Sequence, residues 1–229
     1  MDVHPIPGLE HEPYAEAWFH AIDDARWRDA SNAAHAIGKS GLEAWTTTRT
    51  PEVERFLRAR GYDEVRRYVI SELAVATAPD PGPPRFELVT VADHPELRDE
   101  LYALARAAYP DQPGRSGTRI GDDWFHWGLE RHDPTAYFVA LDDGRALGYG
   151  YLERNEEHWT NGFMAVARDA RGRGVAGAIK RAQIRWAKQH GIATLRTANE
   201  TRLASMLELN RRLGYVPLYE EIVLRGPLA

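Results

Sequence analysis

The sequence predicts a mixed α/β (α+β) fold in which helices flank a central mixed sheet. From about residue 85 onward, strand-like and helix-like periodicities follow each other in the order β-α-α-β-β-β-α-β-α-β. A basic, glycine-rich loop at Arg171–Gly174 runs directly into an amphipathic helix. The first 78 residues repeat the order of elements found near the C-terminal end. We therefore expect one complete α/β domain preceded by part of a second copy.

The elements of the complete domain follow from periodicity and from turn residues. Asp143-Gly144 separates two alternating apolar segments, which is typical of a two-residue hairpin turn. The helix after the basic loop carries one apolar stripe and ends at Gly191, a plausible C-cap. The stripe consists of Val175, Ile179, Ala182 and Trp186. In chain order we expect a strand at 86–91, helices at 95–109 and 122–132, a hairpin at 136–154, a strand at 158–167, a helix from 175, a strand at 193–199, a helix at 204–214 and a strand at 215–224.

A proline-rich segment divides the chain into domains. Four prolines and one glycine lie between Thr77 and Glu87, where neither a helix nor a central strand is expected. We place a partial domain at residues 1–78, a linker at 79–84 and the complete domain at 85–229. Within the partial domain, Gly61-Tyr62 after a helix end matches Gly214-Tyr215, and an alternating strand follows each pair.

The composition excludes several classes of function. The chain of 229 residues has a formal net charge of -5, which argues against nucleic-acid binding. It contains no cysteine, so disulfides, thiolate metal sites and a cysteine nucleophile are excluded, and its histidines lack the spacing of metal ligands. No apolar run approaches the ~20 residues that span a membrane, and no secretory signal is visible. We expect a cytoplasmic protein without metal, membrane or nucleic-acid partners.

The basic loop predicts an anion site. The first backbone N–H groups of a helix lack partners and its dipole favours negative charge. Glycines in Arg171–Ala176 leave room for a phosphate, and the arginines add positive charge. The alternative interpretation is a surface loop with solvated arginines.

The same residues resemble the signature of the GNAT (Gcn5-related) N-acetyltransferases, and in particular of bacterial single and tandem-repeat members. Arg171, Gly174 and Ala176 fill the family's Arg/Gln-x-x-Gly-x-Gly/Ala pattern between a strand and a helix. The resemblance covers about residues 85–227. Further matching positions are Thr197, Asn199, Met206, Asn210, Leu213, Gly214 and Tyr215.

The resemblance implies the GNAT acyl-CoA N-acyltransferase fold and acetyl-CoA as co-substrate. The strand before the loop would pair with the pantetheine arm, the next strand would splay away, and the amides of residues 172–176 would hold the pyrophosphate. Asn199 is alternatively a helix N-cap. The implied coenzyme-binding residues are Met164, Ala165, Val166, Arg171, Gly172, Arg173, Gly174, Val175, Ala176, Asn199, Ser205 and Asn210.

The partial domain lacks the phosphate pattern. Val3-His4-Pro5 resembles the end of the family's motif strand, but the following residues do not continue as Arg-x-x-Gly-x-Gly. We therefore expect a degenerate copy that does not bind coenzyme. Its exposed strand edge favours pairing within the chain or in a homodimer.

Acetyl transfer to an amine needs a base, because an alkylamine is mostly protonated at pH 7. Many relatives use a glutamate at the position of Thr160. Glu156 and His158 share the strand parity of Thr160 and are the candidate bases. The alternative is that Glu153, Glu156 and Glu157 form a solvated hairpin end.

The acid that protonates the leaving thiolate in many relatives is also missing from its usual position. The tyrosine that relatives use falls at Asn210, which cannot act as an acid. Tyr215 is a candidate, and Tyr151, Tyr219 or water are alternatives.

The loop at residues 109–124 lies where relatives bind the acceptor. A cationic amine would be attracted by Asp111, Asp122 and Asp123, and its binding site would be lined by Trp124 and Trp127. The simpler interpretation is that these aspartates cap a helix and that the tryptophans lie in the core.

Two functions of different classes remain. The first is an acetyl-CoA-dependent N-acetyltransferase that acts on a primary amine of a small molecule by direct attack in a ternary complex. The second is a non-catalytic acyl-CoA-binding or regulatory module, which the missing glutamate and tyrosine favour.

Overall fold

The computed structural model describes residues 2–6, 11–79, 82–113, 120–121, 132–155 and 158–229. They form two compact units. The first consists of Met1–Ile70, Asn199–Arg202 and Leu218–Ala229, and the second of Ser71–Ala198 and Leu203–Pro217. This composition differs from the predicted domains: residues 71–78 belong to the second unit, and most of the last strand belongs to the first. The difference arises because strands pair with residues distant in sequence, whereas the predicted bounds follow a proline-rich segment.

The helices and strands of the described residues have the following bounds. They are β1 (Val3–Pro5), β2 (Tyr14–Trp18), α1 (Asp24–Ala36), β3 (Gly41–Thr47), α2 (Pro51–Arg58), β4 (Asp63–Ala74), β5 (Glu87–Thr90), α3 (Arg98–Ala108), β6 (Tyr137–Asp142), β7 (Arg145–Arg154), β8 (Trp159–Val166), α4 (Val175–Gln189), β9 (Thr194–Glu200), α5 (Ala204–Arg212) and β10 (Val216–Pro227). The elements expected from periodicity are present within a few residues of their predicted bounds. The helix predicted at 122–132 lies almost entirely outside the described residues.

In the first unit, β1 pairs antiparallel with β2, and β2 pairs parallel with β3. The other edge of β3 pairs antiparallel with residues 221–227 of β10. Side chains of α1, α2 and these strands form one apolar core.

In the second unit, β5, β6, β7 and β8 pair antiparallel in sequence order, and β8 pairs parallel with β9. The predicted mixed sheet is therefore confirmed. Asp143 and Gly144 have φ of 50° and 76° at the turn between β6 and β7, as a two-residue hairpin loop requires. One apolar cluster includes α4 and another includes α3, so α4 and α3 supply separate cores.

The internal repeat is visible in the backbone. Gly61 and Gly214 have φ of 80° and 91°, a left-handed conformation that glycine adopts without steric cost. The next residue bonds back into the helix in both copies: Tyr62 N–H donates to the Leu57 carbonyl at 3.2 Å, and Tyr215 N–H to the Asn210 carbonyl at 3.0 Å. The strand that precedes helix α1 is β2, so the comparison of Val3-His4-Pro5 with the motif strand was wrong by one strand.

Candidate functional site

The N-terminus of α4 is open to an anion. Its N-cap is Gly174, with φ of 91° and no side-chain cap. Within the described part of the chain, the backbone N–H groups of residues 172 and 174–177 have no hydrogen-bond acceptor. No described heavy atom lies within 4 Å of the position that a Cβ on Gly172 would take. Several donors and the positive end of the helix dipole thus face open space.

The corresponding helix of the first unit is closed to an anion. At the start of α1, the Asp23 carboxylate accepts a hydrogen bond from the Arg26 backbone N–H at 2.8 Å. Asp24 adds a second negative charge in the first turn. A phosphate would meet these carboxylates there, and the expectation that the first copy does not bind coenzyme stays a prediction.

The loop before α4, residues 168–174, is called the α4 loop, and its arginines form ion pairs with acidic side chains. Arg171 Nη2 lies 2.7 Å from one Asp111 oxygen, Arg168 Nη2 lies 2.6 Å from the other, and Arg173 Nη2 lies 2.8 Å from Asp142. The two guanidinium groups lower the pKa of Asp111 to about 2. Asp111 is therefore paired with arginines of this loop, and the role in acceptor binding expected for it stays a prediction.

We expect Asp111→Asn to strengthen acetyl-CoA binding by about 2- to 10-fold at low salt, because it removes a carboxylate that competes for Arg171 and Arg168. Calorimetric titration at two salt concentrations measures the effect. Asp93→Asn is the matched control, since it removes one negative charge from an exposed residue that bonds Thr90. Weaker binding by Asp111→Asn would mean that the ion pairs hold the loop in its binding shape.

A further arginine approaches the same helix end from a distant part of the sequence. Arg85 Nη1 lies 3.9 Å from the position that a Cβ on Gly174 would take. Arg85 is exposed and has no hydrogen-bond or ion-pair partner within the described residues. Arg85 is the first residue of the predicted complete domain, and no sequence pattern predicted a role for it.

Strand β8 contains a bulge next to this site. Gly150 and Leu152 on β7 oppose Met164 and Asn161, so Gly162 and Phe163 together face the single residue Tyr151. A Cβ on Gly162 would lie 2.0 Å from the Tyr151 ring, which explains the glycine. The bulge changes the strand parity, and both Asn161 and Met164 face α4 as a result.

The pairing between β8 and β9 ends at the same place. It consists of three pairs, the last of which is Asn161 with Thr197. Beyond it β8 continues to Val166, paired on its other edge with β7. One edge of residues 162–166 is therefore not paired with β9, as the predicted splay requires.

A buried polar cluster lies where the two strands part. Asn161 donates to Gln183 at 2.8 Å and accepts from the Tyr215 hydroxyl at 2.7 Å. Lys180 Nζ lies 3.3 Å from the same Asn161 oxygen and 3.4 Å from the Thr197 hydroxyl. Burial raises the pKa of Tyr215, so its hydroxyl stays protonated. That proton is directed at Asn161, and the proposed acid role of Tyr215 stays a prediction.

On the other face of β8, Thr160 is paired with Glu153 of β7. The Nε2 of His132 lies 3.5 Å from a Glu153 oxygen, and the His132 ring stacks on Tyr151 with centroids 4.6 Å apart. Burial raises the pKa of Glu153. The Glu153 carboxylate is partly enclosed by ring systems, and the alternative of a solvated hairpin end at Glu153, Glu156 and Glu157 stays a prediction.

Residues 95–215, just over half of the chain, match the model of the acetyltransferase (GNAT) family. The chain belongs to the GNAT acetyltransferase family. It is accordingly an N-acetyltransferase, and members of the family use acetyl-CoA as co-substrate.

Several relatives of this GNAT chain cover 94–100% of its length. A mycothiol acetyltransferase from Pseudarthrobacter chlorophenolicus is 23% identical over 100% of this chain and 70% of its own length. The fold is similar to a GCN5-related N-acetyltransferase from Sphaerobacter thermophilus, with a TM-score of 0.73 and 16% identity over 99% of this chain and 75% of that one. A tandem GNAT protein from the clavulanic acid biosynthesis pathway has a TM-score of 0.69 and 17% identity over 94% and 75%. The predicted resemblance to tandem members is thus confirmed.

Other site residues predicted for this GNAT domain are placed as follows. His158 directly precedes β8, and its backbone N–H donates to the side-chain oxygen of Asn155 at 2.7 Å. Ser205 is exposed on α5, Asn210 is buried on the same helix, and Asn199 lies in β9 within the first compact unit. Tyr219 also lies in the first unit, with the Arg49 guanidinium 4.1 Å from its ring. Outside the described residues lie Glu156, Glu157, Asp122, Asp123, Trp124 and Trp127.

Two further observations concern the described part of this GNAT chain. No group of three or more histidine, aspartate or glutamate side chains in it is arranged to hold a metal ion. None of its helices has the length and apolar character that crossing a membrane requires.

Proposed function

We propose that this protein transfers the acetyl group of acetyl-CoA to a primary amine of a small molecule by direct attack in a ternary complex. The observation that carries the proposal is the N-terminus of α4, where two left-handed glycines and amides without an acceptor among the described residues adjoin the part of β8 that extends beyond its last pair with β9. A phosphate chain and an extended arm fit these two features in turn.

The residues present fit acetyl-CoA in chemistry as well as in shape. The amides of residues 172–176 would hold the pyrophosphate, with positive charge from Arg171, Arg173 and Arg85. Residues 162–166 continue β8 beyond its last pair with β9 and would offer backbone groups to the amides of the pantetheine arm. Bound acetyl-CoA supplies an acetyl thioester, which is the acyl donor of the reaction.

Direct attack is the simplest chemistry for this chain. It contains no cysteine, so no thiol of the protein can carry the acetyl group between donor and acceptor. The site then has two tasks: it holds the amine near the thioester carbon and it accepts the proton that the amine must lose. A small acceptor agrees with the acetyltransferase named for mycothiol among the relatives.

An assay of thiol release from acetyl-CoA tests the proposal. The acceptor panel contains glucosamine, tyramine, putrescine and a short peptide with a free N-terminus, so that it spans sugar, aryl, aliphatic and peptide amines. We expect thiol release to rise above the amine-free rate with at least one small amine, together with the matching N-acetyl product in the mass spectrum.

The non-catalytic alternative gives a different pattern in the same experiments. Thr160 and Asn210, at the positions where relatives have the glutamate and the tyrosine, favour it. In that case calorimetry would detect acetyl-CoA binding while no amine of the panel accelerated thiol release. Acceleration by the peptide alone would overturn the small-molecule assignment and keep the transferase.

A further inference from the structure

We propose that Glu153 is the catalytic residue that binds the ammonium group of the acceptor and takes its proton, with His132 as its positioning residue. The inference rests on the proposed function, since it assigns a role in that reaction. It places the base on β7, one strand away from the position of the family's glutamate.

The strand register is the first observation that supports Glu153 as the base. Glu153 is paired directly with Thr160. Side chains of directly opposed residues lie on the same face of a sheet, with Cβ atoms about 4.5–5.5 Å apart. Glu153 can therefore deliver a carboxylate to nearly the place that a longer side chain at 160 would reach, and the short Thr160 side chain leaves that place open.

The surroundings of Glu153 suit an amine. The His132, Tyr151 and Tyr137 rings form a stack, with 4.6 Å between the centroids of His132 and Tyr151 and 4.6 Å between those of Tyr151 and Tyr137. Aromatic faces attract cations, and a carboxylate beside them adds a full negative charge. The Glu153 side chain keeps 38% exposure, so an acceptor can reach it, whereas that of His132 keeps 14%.

Titration agrees with this geometry. Burial raises the pKa of Glu153 above the ordinary glutamate value, which makes the carboxylate a stronger base. The titratable groups that face it from the described elements are His132, Tyr137 on β6 and Tyr151 on β7. Burial raises the pKa of both phenols, so they stay neutral while Glu153 titrates.

The proposed step balances without any further reactant. The ammonium group gives one proton to the Glu153 carboxylate and becomes a neutral amine. The amine lone pair forms a C–N bond to the thioester carbon, and the C–S bond breaks with its electron pair on sulfur. The thiolate takes one proton, and the amide nitrogen releases its additional proton. The products are the N-acetylated acceptor and the free thiol.

Glu153→Gln tests the proposal with glucosamine, tyramine and putrescine as acceptors. The amide keeps the size of the side chain and cannot take a proton. We expect kcat to fall by roughly 10²- to 10⁴-fold, while calorimetric acetyl-CoA affinity stays within about twofold of wild type. Glu153→Asp should recover part of the rate. Glu87→Gln is the matched control, because it makes the same change at an exposed strand residue of the same unit.

His132→Phe tests the positioning role. Phenylalanine keeps a ring on Tyr151 but removes the nitrogen that faces the carboxylate, which should raise the pKa of Glu153. The acid limb of the kcat/KM profile should therefore move to higher pH, with acetyl-CoA affinity unchanged. A rate loss without this shift would overturn the role of His132.

The outcomes separate this inference from the proposed function. Wild-type turnover that Glu153→Gln leaves within threefold overturns the inference and keeps the transferase. If the wild type binds acetyl-CoA but no amine accelerates thiol release, the proposed function fails and the inference fails with it. Loss of acetyl-CoA binding in Glu153→Gln would mean that the residue supports the fold of the coenzyme site, which also overturns the inference.

Discussion

Gly174→Glu is expected to remove specific acetyl-CoA binding, with an affinity loss of roughly 10²-fold or more, or about 3 kcal/mol. Two causes act together. The φ of 91° at Gly174 is unfavourable for any residue with a Cβ. The new carboxylate would also lie at the positive end of α4, close to Arg85, and would occupy the donors that a phosphate needs. Calorimetric titration with acetyl-CoA measures the loss.

Two control variants separate these causes. Gly174→Ala keeps the backbone strain without the charge, so we expect a smaller loss of affinity. Gly191→Glu places the same side chain at a glycine with φ of 65° beyond the opposite end of α4, and should bind acetyl-CoA like the wild type. Thermal melting shows whether each variant is folded. Unchanged affinity in a folded Gly174→Glu protein would contradict the assignment of the phosphate loop.

The features of this protein that the sequence predicts are those set by residues close together in the chain. The α4 loop is one: a strand, two glycines and a helix start fix its backbone within about ten residues. The hairpin at Asp143-Gly144 and the paired glycines Gly61 and Gly214 are others, since each depends on a local φ that favours glycine. Local backbone geometry therefore accounts for these parts of the fold and for the candidate anion site.

The features that escaped prediction depend on residues far apart in the chain. Asp111 reaches Arg171 from 60 residues away, and Arg85 reaches the same helix end from before β5. Glu153 acquires its position through its pairing with Thr160 and the bulge at Gly162–Phe163, and no periodicity in β7 indicates that register. A strand slip or a bulge changes which face a side chain occupies, so base candidates chosen by parity are sensitive to a single residue.

Lys180 is the clearest of these cases and leads to a prediction about stability. It follows Ile179 of the predicted apolar stripe, and the stripe itself does not include it. Its side chain is nevertheless buried, with 2% of the residue exposed. Its Nζ lies near the oxygens of Asn161 and Thr197 and 5.0 Å from the centre of the Tyr215 ring. None of these contacts is to a carboxylate, and desolvation lowers the pKa of Lys180 from 10.5 to about 7.

The sign of the pH effect follows from the two states. Between pH 7 and 10.5 the unfolded chain holds a proton on Lys180 that the folded protein does not. Unfolding therefore takes up a proton in this range, and the free energy of unfolding rises with pH. For a shift of this size the rise is on the order of 4 kcal/mol across the range. Below pH 7 both states hold the proton, so the penalty is constant and at its largest.

Lys180→Met should remove this rise. Methionine fills a similar volume without a charge, and Asn161 keeps its bonds to Tyr215 and Gln183. We expect the variant to be more stable than the wild type at pH 7, with the difference shrinking as the pH approaches 10. Urea unfolding at a series of pH values measures both curves, and groups common to the two proteins cancel in the difference. Lys188→Met, which removes an exposed lysine from the same helix, should follow the wild-type curve. Parallel curves for Lys180→Met and the wild type would show that Lys180 remains charged in the folded protein throughout this range.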